Sequence, residues 1–285
     1  MKRSDFRHLE RLRVRWAEVD LQKIVFNGHY LMYFDTAVAG YWRALAMPYH
    51  ETMAMLGGDL FVRKATVEYL GSARYDELCE VGIRCARIGT SSILFSAALF
   101  RGEQLLVSGE LVYVFADPAS QTSRPVPQDL RDVLTAFEAG ETMFDLRLGS
   151  WEQLGAEAKG IRHAVFVDEQ KIPADMVCDD ADTEAVHAVA VNRFGLPLAS
   201  GRLVAHAPGL GKIGRMAVLA AQRGSGVGRA VLEALAGAAH QRGEAELMLH
   251  AQASAVAFYR RAGFVNDGAA FQEAGIEHQA MRRTS

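Results

Sequence analysis

RVRWAEVDLQKIVFNGHYLMYFD, residues 13–35, is the stretch whose reading decides the architecture of the first half of the chain. Apolar and polar residues alternate over residues 12–19, with Leu12, Val14, Trp16 and Glu18 on one side, which predicts a strand. Asp20 follows, and a turn leads into residues 30–47, which are mostly apolar at helical spacing, as in a helix buried on most faces. A helix N-terminus offers unpaired N–H groups and partial positive charge, which can polarise a carbonyl and hold a developing oxyanion. A carboxylate close by can attack as a nucleophile or orient a water as general base. Asp20 ahead of such a helix therefore suits acyl transfer to water. It also reads as a cap or turn residue, and spacing by itself leaves both open.

Outward from this stretch, strand-like runs cover residues 61–70, 78–88, 91–101 and 104–116, with Gly89 and Gly102 at turns between the later ones. An antiparallel meander plus one long apolar helix predicts a sheet wrapped around that helix. Residues 117–129, DPASQTSRPVPQD, hold three prolines and little apolar bulk, as in a loop. A short helix at 130–139, capped by Gly140, then closes the unit, which sets the expected domains at 1–140 and 141–285. Either is long enough to bury its own core.

The second half mixes types. A helix is expected over 151–168, strands over 186–192, 198–205, 212–219 and 247–251, and helices over 226–242 and 253–262. Its distinctive feature is a glycine-rich turn, Arg223-Gly224-Ser225-Gly226-Val227-Gly228, between the apolar strand holding Met216, Ala217 and Val218 and an Ala/Leu helix. Glycines let backbone approach a ligand, and the helix start presents N–H groups to an anion such as a pyrophosphate. The spacing fits neither the G-x-G-x-x-G dinucleotide fingerprint nor a G-K-[ST] phosphate loop, so nicotinamide and ATP readings are poor. A glycine turn with no ligand stays open.

Composition bounds the class. Of 285 residues, 50% are hydrophobic and 23% charged, an ordinary globular mix that excludes global disorder. A net charge of −3 argues against a nucleic-acid binder. No apolar run reaches membrane-spanning length, and the charged start, MKRSDFRHLERLRVRW, lacks the apolar core of a secretory signal. Three cysteines without a C-x-x-C fit a cytoplasmic protein. No His/Asp grouping has metal-ligand spacing, so no metal is expected.

The first stretch resembles the hot-dog fold acyl-CoA thioesterases of the 4-hydroxybenzoyl-CoA thioesterase type, the YbgC and FadM groups included. Their pattern is R-W-x-x-x-D-x-x-G-I-V-F/Y-x-x-x-Y-L-x-Y-F-[DE]. Arg15, Trp16, Asp20, Ile24, Val25, Phe26, Tyr30, Leu31, Tyr33, Phe34 and Asp35 fall in place. Residues 67–101 are similar to the family's sheet, and the likeness spans residues 8–138. It implies that Asp20 is the catalytic carboxylate, that the backbone N–H of Asn27 polarises the thioester, and that the domain forms a homodimer or tetramer. It further offers Arg87, Gly89, Ser91 and Ser92 as CoA contacts, His29 as a substrate partner and Glu68 as an assisting carboxylate. Lys23 departs from the pattern by standing at its glycine.

The second half resembles the GNAT acetyltransferases, ElaA-like branch, over residues 146–283. Arg223, Gly226 and Gly228 fill motif A, and AQASAVAFYRRAGF, residues 251–264, resembles motif B. Residues 161–173 and 271–283 add to the likeness. It implies that Met216, Ala217 and Val218 bond the pantetheine arm. The amides of Arg223, Gly224, Ser225, Gly226, Val227 and Gly228 would bind pyrophosphate, and Tyr259 would protonate the departing thiolate. Glu169, Glu277 and His278 are offered as bases.

The sequence thus points to an α+β chain with a hot-dog domain followed by a GNAT α/β domain. The expected function is bifunctional: acyl-CoA hydrolysis, and acetyl transfer from acetyl-CoA to a small-molecule or peptide amine. CoA esters are substrates, and no cofactor is tightly bound. In the alternative, only one domain is catalytic, and the other senses acyl-CoA or serves as an oligomerisation platform.

Overall fold

The computed structural model describes residues 1–273 and 275–284. The chain divides into two compact units, Met1–Met143 and Phe144–Ser285. The division falls three residues beyond the one read from Gly140, because the chain past the helix at Gln128–Glu138 stays tied to the first unit. The Arg7 guanidinium bonds the carbonyls of Phe137 and Glu141, and Met143 is buried.

In the first unit, β1 (His8–Arg13) is followed by α1 (His29–Ala44), α2 (Tyr49–Leu56), β2 (Asp59–Tyr69), β3 (Leu78–Ile88), β4 (Ser92–Arg101), β5 (Gln104–Ala116) and α3 (Gln128–Glu138). The strands form an antiparallel sheet in the order β1-β3-β4-β5-β2. α1 lies against this sheet, as expected from its apolar periodicity. Tyr30, Tyr33, Phe34, Ala37, Val38, Tyr41 and Trp42 are buried on it. Phe95 of β4 meets the rings of Tyr41 and Trp42 edge-on, with centroids 5.5 and 5.7 Å away. Gly109 of β5 lets Phe34 in: a Cβ there would sit 2.7 Å from the Phe34 ring.

The strand expected over 12–19 is a correction. It ends at Arg13, and Trp16–Glu18 is a single 3₁₀ turn with Trp16 exposed. Leu12, Val14 and Trp16 give the alternation that mimicked a longer strand, and Glu18 is buried for another reason, its carboxylate folding inward to accept from the Tyr33 hydroxyl at 2.6 Å. The sequence reading also left α2 unassigned.

The second unit runs β6 (Phe144–Gly149), α4 (Trp151–Arg162), a π-helical turn (His163–Glu169), β7 (Val186–Asn192), β8 (Pro197–Ala207), β9 (Leu210–Val218), α5 (Val227–Gln241), β10 (Glu246–Gln252), α6 (Val256–Arg261), β11 (Val265–Asn266), β12 (Phe271–Glu273) and β13 (Ile276–Thr284). The sheet order is β11-β13-β10-β9-β8-β7-β6, with β12 on β13. β6 and β11–β13 were not read from sequence. α4 and α5 cover opposite faces. Leu154, Ala158 and Ile161 of α4 pack on Val189, Val191 and Ala217, while Gly201 faces Val231 and Leu235 of α5.

The pairing of β9 with β10 is parallel, whereas its neighbours are antiparallel, and it covers only Leu210–Lys212 against Glu246–Met248. Beyond those residues the strands part, so a wedge opens in the sheet. A bulge helps: Gly214 to Ala217 of β9 spans Arg202 to Ser200 of β8, and Arg215 takes φ 51°. The extra residue turns Met216 and Val218 toward α5.

Candidate active sites

In the first unit, Asp20 sits at a hairpin stem. Val19 bridges to Val25, Asp20 N–H donates to Ile24 O at 2.9 Å, and Lys23 N–H donates to Asp20 O. The carboxylate accepts from Gln22 N–H at 2.8 Å, which fixes one oxygen and leaves the other open. This is the turn role that spacing left open, and it coexists with the catalytic expectation. Phe26 N–H donates to Glu18 O, and His29 N–H donates to Phe26 O as α1 begins. Among the described residues nothing accepts from Asn27 N–H.

Glu18 is the organiser that sequence reasoning missed. Its carboxylate takes bonds from Tyr33 OH, Arg15 N–H and the Arg15 guanidinium. Burial alone would raise its pKa, but these bonds outweigh it and hold the group below its ordinary range. The same residue's carbonyl faces His29 Nδ1 at 3.0 Å, so Nδ1 carries the proton. A lone carboxylate inside an apolar alternation was the available signal.

Lys23 keeps the turn that the resemblance gives to glycine, with φ 61°. Lys23→Gly is therefore expected to stabilise the unit by up to about 1 kcal/mol, since a side chain is disfavoured in the left-handed region. Urea unfolding checks this, and a lowered midpoint contradicts it.

The other residues offered for this unit have partners of their own. Glu68 is exposed on β2 and, among the described residues, accepts only from Ser108 Oγ, its cross-strand partner, at 3.3 Å. Gly89 and Ser91 build the β3–β4 turn: Gly89 N–H donates to Ser92 O, and Phe115 N–H donates to Ser91 O. Arg131 bonds the carbonyls of Gly89 and Thr90. Arg87 and Ser92 are paired in the strands on either side.

In the second unit, a cleft of about 630 Å³ lies at the wedge. Met216, Val218, Arg223, Gly224, Gly226, Gly228 and Tyr259 line it. Gly224 and Gly226 take φ of 86° and 91°, which bends the loop so that Val227 starts α5. Among the described residues nothing accepts from the N–H groups of Gly224, Gly226, Gly228 or Arg229. Gly228 is needed for packing too, because a Cβ would lie 2.9 Å from Val218. Ser225 instead caps locally, donating its hydroxyl to Gln222 O at 2.7 Å. Ala217 is buried toward α4, outside the lining.

Tyr259 is buried on α6 between Phe258 and Phe264, and burial pushes its hydroxyl pKa up. Glu169 ends the π-helical turn and grips Arg223 through two bonds of 2.7 and 2.6 Å, which hold the carboxyl below its usual range. It is therefore a poor base. Glu277 and His278 fall on opposite faces of β13. Arg283, three alternations further along the same face, pairs with Glu233 of α5, so Glu277 lies on the α5 side. Gln170 and Gln252 bond each other across the cleft wall at 3.0 Å, a pair not foreseen.

Comparison with known proteins divides the chain the same way. The Thioesterase superfamily profile matches residues 22–108, and the Acetyltransferase (GNAT) domain profile matches residues 181–285. The uncharacterized N-acetyltransferase YjcF of Bacillus subtilis is 37% identical over 133 residues, 46% of this chain and 93% of the relative. The acyl-CoA thioester hydrolase YbgC of Escherichia coli O157:H7 is 25% identical over 120 residues, 42% of this chain and 89% of the relative. A solved structure of Slr0204, a 1,4-dihydroxy-2-naphthoyl-CoA thioesterase from Synechocystis, is 14% identical with a TM-score of 0.41. It covers 45% of this chain and 95% of that one. With a wrapped antiparallel sheet in one unit and a split, glycine-looped sheet in the other, the chain joins a hot-dog domain that matches the thioesterase superfamily to a domain that belongs to the GNAT acetyltransferases.

Proposed function

We propose that this chain is a bifunctional CoA-ester enzyme, hydrolysing acyl-CoA in its first unit and transferring acetyl from acetyl-CoA to an amine in its second. One observation carries the reading: each unit offers unpaired backbone N–H groups beside a side chain able to handle the reaction. In the first, the thioester carbonyl oxygen accepts from Asn27 N–H at the head of α1. Asp20 then attacks the carbonyl carbon or activates the water that does. In the second, the pyrophosphate lies on the amides of Gly224, Gly226 and Gly228, and the pantetheine arm pairs with the edge of β9 at Met216–Val218 that β10 leaves free, displacing Arg223 Nε from Val218 O. The amine attacks the thioester directly, and Tyr259 gives its proton to the departing sulfur.

A second copy of the chain completes the first unit. β2 is an edge strand of 11 residues with Phe61, Val62 and Tyr69 exposed. Leu21 and Phe26, on the Asp20 stem, are exposed as well. An edge this long and apolar favours pairing with its own kind, in a homodimer or tetramer. Three free cysteines fit a reducing, cytoplasmic location.

The test is free-thiol release by the full-length protein from a panel of acyl-CoA esters, with and without primary amines. Amine-independent release should disappear with Asp20→Asn and amine-dependent release should persist. Gly226→Ala should weaken amine-dependent release alone, because a Cβ strains the φ of 91° and displaces the amides. Its KM for acetyl-CoA is expected to rise roughly tenfold, the equivalent of ~1.4 kcal/mol. Loss of both activities in either variant contradicts two separate sites.

A further inference from the structure

Beyond the cleft, the wedge carries a cluster that neither reaction above uses. On β10, residues 248, 250 and 252 share a face, and His250 lies past Met248, the last residue paired with β9. His250 is thus on the splayed part of the strand, roughly 7 Å along from Gln252, which lines the cleft. The face is the α4 one: Gln252 bonds Gln170, at the end of the π-helical turn that continues α4. The pyrophosphate loop opens α5, which covers the opposite face. An acetyl group held in the wedge would meet CoA from the α5 side and an acceptor from the α4 side.

The β12–β13 hairpin closes round His250 on that face. Glu273 Oε2 lies 3.0 Å from His250 Nδ1. The Phe271 ring sits edge-on to His250 with centroids 4.9 Å apart and is stacked on His278. His278 is opposite Gln252 in the β10–β13 ladder. A carboxylate only accepts, so Nδ1 of His250 carries a proton, and the lone pair of the neutral ring is on Nε2. His278 Nδ1 is occupied by Ile276 O at 2.8 Å. The imidazole of His250 is therefore held and polarised in the way a general base requires, on the face from which a nucleophile would enter.

We propose that His250 is the base that deprotonates the acceptor amine, with Glu273 as its positioning residue and Phe271 and His278 forming the acceptor wall. This rests on the acetyl-transfer reading of the second unit. The acceptor is a primary amine arriving as its ammonium, which the Glu273 carboxylate favours. It gives one proton to His250 Nε2. The nitrogen lone pair then forms the C–N bond, the C–S bond breaks, and its electrons leave on sulfur. Tyr259 gives its proton to the sulfur to form the thiol, the second proton shed by the nitrogen as the amide forms restores the Tyr259 hydroxyl through solvent, and the proton on His250 passes to water.

The experiment uses the full-length protein, acetyl-CoA and four primary amines: a polyamine, an amino sugar, an α-amino acid and a short peptide. In His250→Ala and His250→Gln, kcat is expected to fall roughly 10²-fold, the size of a lost general base. Acetyl-CoA affinity by calorimetry stays unchanged. Added imidazole restores about tenfold of the loss in His250→Ala, after its effect on the wild type is subtracted, and restores nothing in His250→Gln, whose side chain fills the space. Glu273→Gln loses kcat and Glu273→Asp regains it. Wild-type rates in His250→Ala, or a loss that imidazole leaves untouched, overturn the assignment while acetyl transfer stands. A wild type that acetylates none of the four amines overturns the transfer reading itself.

Discussion

An Asp20→Asn variant is expected to lose acyl-CoA hydrolysis by roughly 10²–10⁴-fold, the range for removing a positioned acid–base group, with acetyl transfer unaffected. Asparagine is the informative replacement. Its side-chain oxygen can still accept from Gln22 N–H, so the hairpin stem is kept while the negative charge is lost. Asp20→Ala removes that bond as well and adds a stability cost of about 0.5–1.5 kcal/mol. The two variants together separate turn-making from chemistry: if both lose hydrolysis equally while only alanine lowers the urea midpoint, the carboxylate acts on substrate. Retained hydrolysis in Asp20→Asn removes Asp20 from the reaction. Glu68→Gln serves as the control, expected to hydrolyse at the wild-type rate because, among the described residues, the Glu68 carboxylate bonds only Ser108, its partner on the neighbouring strand.

What the sequence made legible follows from where its signals are local. The glycine loop was readable because residues 224 and 226 need positive φ, and glycine meets that need at the position itself. α1 was readable because sixteen residues of apolar periodicity leave one solution. The misread strand at residues 12–19 shows the opposite case. Glu18 faces inward in an apolar rhythm only because Tyr33, 15 residues on, supplies its partner, and alternation cannot report that. β6 was missed because Leu146 and Leu148, the residues that alternate, are exposed on an edge strand. β12 and β13 were missed as structure because polar residues interrupt Phe271, Ile276 and Met281, so no apolar period emerges. His250 lies in an otherwise apolar run and declares nothing until the register brings Glu273 beside it. Of the candidate sites, the backbone-built parts were therefore legible, and the side-chain pairs made by distant strands were not.

The largest stability effect is expected from Asp182→Asn. Arg162 is fully buried, and Asp182 meets it at 2.9 and 3.0 Å while also receiving Arg202 at 2.8 Å. The Trp151 ring lies over the guanidinium, and His187 Nε2 bonds Asp182 O at 2.8 Å. Neutralising Asp182 leaves the Arg162 charge uncompensated where water does not reach, a loss of about 3–5 kcal/mol. Acetyl transfer should fail at a markedly lower temperature in this variant, with hydrolysis keeping its wild-type midpoint. Acid should act on the same cluster in the wild type, in two stages. Burial, its largest cause, lowers the His187 pKa, so below about pH 6.5 the unfolded chain takes a proton that the folded unit refuses, and stability begins to fall. Arg202 holds the Asp179 carboxyl down at about 2, against an ordinary 3.8. Asp182 is likewise lowered: burial opposes the shift, and its bonds to Arg202 and Arg162 prevail. Their stabilisation is complete above about pH 4 and is lost as pH falls toward the folded value, because the unfolded state then binds more protons. Acid unfolding followed by acetyl-CoA binding should therefore show a shallow decline from near-neutral pH and a steep one below pH 4. A His187→Gln variant should abolish the first stage alone, and a profile flat down to pH 4 in the wild type contradicts the part assigned to His187.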